Sequence, residues 1–422
     1  MKKFKLILLT LSVIVANRLD AAYLLIPMDN TQTNHLKAYG VAYYVLQREV
    51  EISWLLNYKG GSYLIPYHEM FEQECRLRNV SYNVIADAQA AAIIEQISAP
   101  DVNMDEMKLQ KAPRMAVYAP KTLLPWDDAV TLALTYAEIP YDLVYDDEVL
   151  QDVLHTYDWL HLHHEDFTGQ YGKFWARYRN QPWYIEDVKQ QEATAKRWGF
   201  SKVSQLKLAV AKKIRDFVVG GGYMFAMCSA PDSFDVALAA DGLDICDYMF
   251  DGDPIHAGDP KRLNYDNCLA FTNFSVSTNP SQYEIADIDV PVERQYQVNE
   301  QNDYFLLFDF SAKWDPVPTM LTQCHERLIK GFMGQTTAFV KSRVKPDVVV
   351  LGDNAALGED RYIHGNFGNG FWTFYGGHDP EDYRHLVGDP PTNLEIYPNS
   401  PGYRLILNNV LFPAAKKKEQ KT

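Results

Sequence analysis

The chain has 422 residues, 47% hydrophobic and 23% charged, with a formal net charge of −15. That length asks for two domains, or one with large insertions, and the composition is that of a chain that buries a core. The acidic balance excludes a nucleic-acid partner, since no basic excess exists to neutralise phosphates. The one basic run, Lys416 to Lys421, reads as part of a solvated tail over 413–422.

Met1-Lys2-Lys3-Phe4-Lys5 is a basic start, Leu6 to Ala16 is apolar, and a polar stretch then ends in Ala21. This predicts a secretory signal over 1–21, too short to span a bilayer. No later run reaches membrane length, so the expectation is a secreted or periplasmic protein without a membrane span. The five cysteines, Cys75, Cys228, Cys246, Cys268 and Cys324, show no CxxC spacing, and their odd number leaves at least one thiol unpaired.

In chain order, 22–28 reads as a buried strand, 34–48 as a helix, 51–57 as a strand before the Gly60-Gly61 turn, and 63–66 as a candidate short strand. Helix over 69–78, strand over 80–85 and an Ala-rich helix over 87–97 follow. This alternation predicts a parallel N-terminal α/β layer over 22–99, with a polar linker over 100–113. A second α/β run starts at Arg114, with strands over 115–118, 141–145 and 159–163 and helices over 126–138 and 203–218. Strands over 269–276 and 304–310 with polar connections suggest an antiparallel insertion over about 245–345. Strands are expected again over 343–351 and 370–375, and a last apolar strand over 405–412. Gly365 to Gly370 does not match GxGxxG and no helix follows it, so it reads as a hairpin turn. No cofactor is expected.

The stretch IRDFVVGGGYMFAMCSAPD, residues 214–232, reads as a helix end, a glycine break, a buried strand and an abrupt turn into another helix. Such a turn thrusts its central side chain, Cys228, above the carboxyl edge of a sheet. The strand ending at Tyr375 runs into Gly376-Gly377-His378-Asp379-Pro380-Glu381, which delivers His378 to that same edge. A thiol needs an imidazole beside it, and the imidazole needs a carboxylate to hold it. Cys228 as nucleophile, His378 as general base and acid, and Asp379 or Glu381 as orienter meet that list. The backbone N–H of Ser229 opens the next helix and fits an oxyanion donor. The same residues also fit a small buried cysteine and a histidine that caps a helix.

A strand-elbow-cysteine followed much later by a strand and a His-Pro-Glu-like turn resembles the class I glutamine amidotransferase-like superfamily over 114–412. The stretches MDNTQTNHLKAYG, WLLNYKGG and YGGHDPED resemble a group of secreted bacterial proteins often labelled asparagine synthetase B. The resemblance implies a flavodoxin-like parallel-sheet fold and a cysteine-dependent chemistry on amide bonds. The elbow here is Ala226-Met227-Cys228-Ser229-Ala230 where the superfamily has Gly-x-Cys-x-Gly, and Pro380 stands where its glutamate is expected. An N-terminal nucleophilic cysteine and an SGGxDS loop, which the asparagine synthetase label implies, are absent.

Two further features remain open. His161 and His163 share one face of a strand at ligand-like spacing, beside His164, Glu165 and Asp166, and read either as a metal pair or as hydrogen-bonded histidines. A related ThuA-like branch is similar in carrying histidines hereabouts. The insertion over 167–200 holds Trp175, Tyr178, Trp183 and Tyr184, which either form a stacking platform for a saccharide or peptide or pack the insertion down. The leading expectation is a secreted cysteine-dependent hydrolase on an amide or related bond of a small-molecule, saccharide or peptide ligand. The alternatives are a catalytically inactive binding module and a metal-dependent hydrolase.

Overall fold

The computed structural model describes residues 21–121, 124–255, 262–315 and 317–416. The expected signal over 1–21, except its last residue, lies outside them, as does most of the basic tail.

The N-terminal sheet comprises β1 (Ala21–Ile26), β2 (Ile52–Leu56), β3 (Ser62–Pro66), β4 (Asn83–Ala86) and β5 (Asp105–Leu109). Its order is β4-β1-β3-β2-β5 and every pairing is antiparallel. The expected parallel layer is therefore corrected. The helix His35–Leu46 does carry β1 into a β2 of the same direction, but β3 slots between them. A tight turn in which Asn57, Lys59, Gly60 and Gly61 all have positive φ folds β3 straight back onto β2. A helix between two strands signals a shared direction, not adjacency. The expected linker holds β5, whose Met107 and Leu109 alternate inward.

The second sheet comprises β6 (Met115–Tyr118), β7 (Asp142–Val144), β8 (Trp159–Leu162), β9 (Tyr223–Met227), β10 (Tyr304–Leu307), β11 (Leu328–Lys330), β12 (Phe339–Val340), β13 (Val349–Asn354), β14 (Glu359–Phe367) and β15 (Gly370–Tyr375). Its order is β11-β10-β13-β14-β15-β9-β8-β6-β7, with β12 paired to β14. The run β15-β9-β8-β6-β7 is parallel and every other pairing is antiparallel, five against four. The flavodoxin-like parallel core is corrected accordingly: this is one mixed ten-stranded sheet, not a parallel sheet carrying a separate antiparallel module. The cause is the β14–β15 hairpin, closed by the Phe367–Gly370 pair with Gly368 at φ +64. The hairpin lays β14 antiparallel against the edge of the parallel half, and β13 and β10 pair outward from it, also antiparallel. The stretch expected as a strand over 269–276 makes only isolated bridges.

Side chains alternate across the second sheet with period two. Met115, Val117, Trp159, Phe225, Met227, Tyr362 and Tyr375 face the core shared with the N-terminal sheet. Ala116, Tyr118, Leu160, Leu162, Met224, Ala226 and Phe374 face the opposite one, which holds the helices Val203–Val219 and Ala230–Ala239.

The stretch 405–412, expected as a strand, is helical: 405–411 belong to the helix Pro401–Leu411, capped by Ser400 with proline in its first turn, and Phe412 opens a short 3-10 turn. Every residue from Gly402 to Leu411 is buried, polar Arg404, Asn408 and Asn409 among them, so the helix has no solvent face. It carries Arg404, fully buried, whose guanidinium donates to the Met28 carbonyl (2.8 Å), to Tyr39 Oη (3.0 Å) and to the Gly60 carbonyl. On the same helix Asn409 Nδ2 donates to Tyr362 Oη of β14 at 2.7 Å, so the helix bolts the two sheets together.

Replacing Arg404 with Met keeps most of the volume but removes its hydrogen bonds to Met28, Tyr39 and Gly60, leaving the Met28 carbonyl with His35 Nε2 alone among the described residues. Arg404→Met is expected to lower stability by about 3 kcal/mol or more, read as a fall in the urea midpoint at unchanged slope.

Candidate functional site

Strand β9 ends at Met227 and the helix Ala230–Ala239 begins three residues later, so the chain reverses on Cys228 and Ser229 alone. Cys228 takes φ +52, a left-handed backbone that an L side chain adopts at a cost of about 1–2 kcal/mol. The conformation is pinned by the Cys228 N–H, which donates to the Gly377 carbonyl at 3.1 Å. Gly377 itself sits at φ +104, and a Cβ there would lie 2.4 Å from the Phe332 ring. The Gly376-Gly377-His378 turn thus docks directly against the elbow, as expected. The Gln335 N–H points at Cys228 Sγ from 3.4 Å. Its amide donates to the Gly172 carbonyl at 2.6 Å, inside a turn where Tyr171, Gly172 and Lys173 are all left-handed.

Around the sulfur stand three imidazoles. One ring nitrogen each from His163, His164 and His378, together with Cys228 Sγ, lie within 4.8 Å of one another. The His163 and His164 rings stack at 4.0 Å, and His378 lies 4.8 and 5.0 Å from them. The expected pair Cys228 and His378 is therefore brought together, and the histidine cluster after β8 joins the same centre.

The carboxylates that serve these rings are Asp127 and Asp128. Asp128 Oδ1 caps the helix Ala129–Tyr136 by accepting from the Val130 and Thr131 N–H groups at 2.8 and 2.9 Å. Its other oxygen lies 3.0 Å from His161 Nε2 and 3.2 Å from His163 Nδ1. Asp127 Oδ1 lies 3.0 Å from His385 Nε2 and 3.9 Å from His378 Nε2, and the Asp127 carbonyl accepts from His164 Nε2 at 2.7 Å. His385 stacks on His378 at 4.4 Å and is anchored on its far side by Asp382 at 2.9 Å.

The remaining predicted residues sit as follows. Asp379 accepts from Tyr403 Oη at 2.7 Å and from the Glu381 N–H at 2.8 Å, so it holds the turn and does not orient His378. Burial raises the pKa of Glu381, whose partner is Ser400. Neither is the orienter; Asp127 faces His378 instead. His161 has both nitrogens taken, Nε2 by Asp128 and Nδ1 by the Phe225 carbonyl at 3.1 Å, while His163 reaches the centre. Ser229 is buried, and its N–H makes no hydrogen bond to another described residue, whereas the Ala230 N–H is spent on the His163 carbonyl. Tyr184 is buried and packs edge-on to Trp183 at 5.8 Å, Tyr178 lies 5.5 Å from Trp183, and Trp175 stacks with Arg179. Trp126 joins that group to the site: it lies 5.1 Å from Trp183 and 5.7 Å from His164. All five cysteines are free thiols.

Burial raises the Cys228 pKa, but hydrogen bonds with His163, His164 and His378 outweigh it and hold the thiol well below its ordinary 9.0. Burial likewise pulls His163 down, yet the Asp128 carboxylate overrides it and keeps the ring protonated up to about 10. His164, buried and beside a charged His163, drops to about 4 and stays neutral. Burial opposes His378 as well, but Asp127 and Cys228 raise it. These shifts all favour a thiolate beside an imidazolium over a neutral thiol beside a neutral ring. Burial pushes the nearby Glu165 and Asp232 each up to about 8, so they add little negative charge at neutral pH. Cys228 is only 5% exposed, and the cavities of about 380 and 460 Å³ elsewhere on the surface do not include it.

No family model and no curated protein matches the chain. Among solved structures it is similar to a cytoplasmic protein from Salmonella typhimurium, STM3548, at 10% identity and TM-score 0.35, covering 72% of this chain and 100% of that one. A second Salmonella typhimurium cytoplasmic protein, STM1381, shows 11% identity and TM-score 0.31, covering 72% and 99%. Gan42B, a GH42 β-galactosidase from G. stearothermophilus, shows 10% identity and TM-score 0.28, over 64% of this chain and 28% of that one. None of these likenesses bears on the chemistry of the site or on the amidotransferase-like resemblance. Among the described residues no helix is long and apolar enough to cross a membrane.

Asp128→Asn keeps the helix cap, since asparagine caps as well as aspartate, but removes the charge that protonates His163. Iodoacetamide labelling of Cys228 at pH 6 is expected to slow about tenfold or more, its pH profile moving toward an ordinary thiol, while Glu381→Gln leaves the profile in place.

Proposed function

We propose that the protein is a cysteine-dependent hydrolase of an amide or related acyl bond, exported through the signal over 1–21. The observation that carries this reading is the left-handed Cys228 on a two-residue strand-to-helix turn, with its sulfur inside a ring of three imidazoles. A strained turn of that kind at a reactive side chain is what nucleophile elbows have in common, and adjacent imidazoles keep the thiol ionised.

In this mechanism the Cys228 thiolate attacks the substrate carbonyl carbon and forms a C–S bond. The oxyanion is met by the Ser229 N–H and by the Gln335 N–H that points at the sulfur. Collapse breaks the C–N bond, and His378 passes its proton to the departing amine. Water then attacks the thioester with His378 as base, releasing the acid and restoring the thiolate. Asp127 and His385 hold His378, and Asp128 keeps His163 charged as the standing counter-ion of the thiolate. The aromatic group of Trp126, Phe174 and Trp183 borders His164 and fits the apolar or sugar-like part of a substrate.

The enclosure of the sulfur favours a second reading, a binding module in which the aromatic group holds a saccharide or peptide and Cys228 is inert. A panel of chromogenic amino-acid and amino-sugar amides separates the two. Cys228→Ser is expected to cut kcat/KM on the best substrate by about a thousandfold or more. The labelling rate of the unmodified protein should stay flat from about pH 7 to 9, because the thiol is already ionised there. A rate that climbs toward pH 9, with no amide turned over, supports the binding module instead.

A further inference from the structure

A thiolate needs one imidazole to hold its charge and one to move a proton. The third ring here has no such duty, and the way all three are held suggests another use. We infer that Cys228 Sγ and one nitrogen each from His163, His164 and His378 form a tetrahedral zinc site, and that zinc bound there shuts the thiol off.

The four donor atoms already lie within 4.8 Å of one another. Zinc bonds of about 2.0–2.3 Å place tetrahedral ligand atoms roughly 3.3–3.7 Å apart, so a contraction of at most about 1.5 Å closes the shell. Each ring also faces an oxygen from outside. His163 Nδ1 faces Asp128 at 3.2 Å, His164 Nε2 donates to the Asp127 carbonyl at 2.7 Å, and His378 Nε2 faces Asp127 Oδ1 at 3.9 Å. A carboxylate or carbonyl on one ring nitrogen is how metal-bound histidines are oriented, with the other nitrogen left for the ion. The geometry leaves His163 Nε2 buried without a hydrogen-bond partner. Since a carbonyl can only accept, His164 Nε2 carries the hydrogen of that contact, which leaves Nδ1 as the nitrogen for the ion. Three nitrogens and one thiolate suit zinc and disfavour calcium or magnesium, which ask for oxygen.

Binding would displace the protons shared among the thiol and the rings, with no change in oxidation state. The fourth ligand is the thiolate itself, so the loaded site has no free nucleophile. That consequence rests on the hydrolase reading; the binding itself does not.

The test uses the whole purified chain, stripped with a chelator and titrated with Zn²⁺ or, as a spectroscopic probe, Co²⁺. One equivalent of metal is expected to remain after gel filtration, with a thiolate-to-cobalt charge-transfer band and the intense visible bands of tetrahedral cobalt. Zinc should slow iodoacetamide labelling of Cys228 at least tenfold, and a chelator should restore it. Cys228→Ser should lose the charge-transfer band, and His164→Ala should weaken binding tenfold or more. Substoichiometric binding by the unmodified protein, or a cobalt spectrum without the thiolate band, overturns the site. Rapid labelling of metal-free protein at neutral pH without metal binding would sink the zinc site and spare the nucleophile. Tight zinc binding with sluggish labelling of the metal-free protein would do the reverse.

Discussion

Two adjacent carboxylates, Asp127 and Asp128, carry the electrostatics of this site. A thiolate and an imidazolium buried together gain from each other, but both give up hydration that must be replaced by fixed groups. Asp128 supplies that replacement from a helix N-terminus, where it accepts from two backbone N–H groups; burial raises its carboxyl, but His161 and His163 outweigh that and hold it well below the ordinary carboxylate range. One of its oxygens then reaches both His161 and His163, and His161 is locked in turn by the Phe225 carbonyl. Asp127 does the parallel work for His378 and His385. Without these charges burial alone would strip the rings of protons and return the thiol to its protonated state.

The backbone is organised to the same end. Left-handed residues cost about 1–3 kcal/mol each when they carry side chains, and Cys228, Tyr171 and Lys173 all stand around the one centre. Three hydrogen bonds tie these turns together, the second of them to the sulfur: Cys228 N–H to the Gly377 carbonyl, Gln335 N–H to Sγ, and the Gln335 side-chain amide to the Gly172 carbonyl. Such strain persists only where the surroundings over-determine it. Here those surroundings are β9, the paired hairpin strand β15 with its Gly376-Gly377 turn, and the loop through Gln335.

Much of the site was legible because its signals are local. The glycine break before β9, the small residues flanking Cys228 and the Gly376-Gly377 turn all announce themselves within a few residues. His163 and His164 were visible as a cluster but not as neighbours of Cys228. Asp127 and Asp128 were hidden inside an expected helix over 126–138. The helix starts at Ala129 with Asp128 as its cap, and an Asp before an apolar run was the signal that could have exposed them. Asp379 and Glu381 drew attention by proximity in sequence, yet the turn points both away from the imidazole, toward Tyr403 and Ser400.

By itself the amino-acid sequence determined which stretches form strands and helices over much of the chain, and which strand-to-helix turn carries Cys228. These follow from side-chain period, capping and glycine placement, all properties of neighbouring residues. Only the tertiary structure decided that β3 slips between β1 and β2, that a hairpin turns the second sheet mixed, and which carboxylate meets which imidazole. Strand adjacency and charge pairing are settled by burial of whole faces against one another, and no short stretch of chain contains that information.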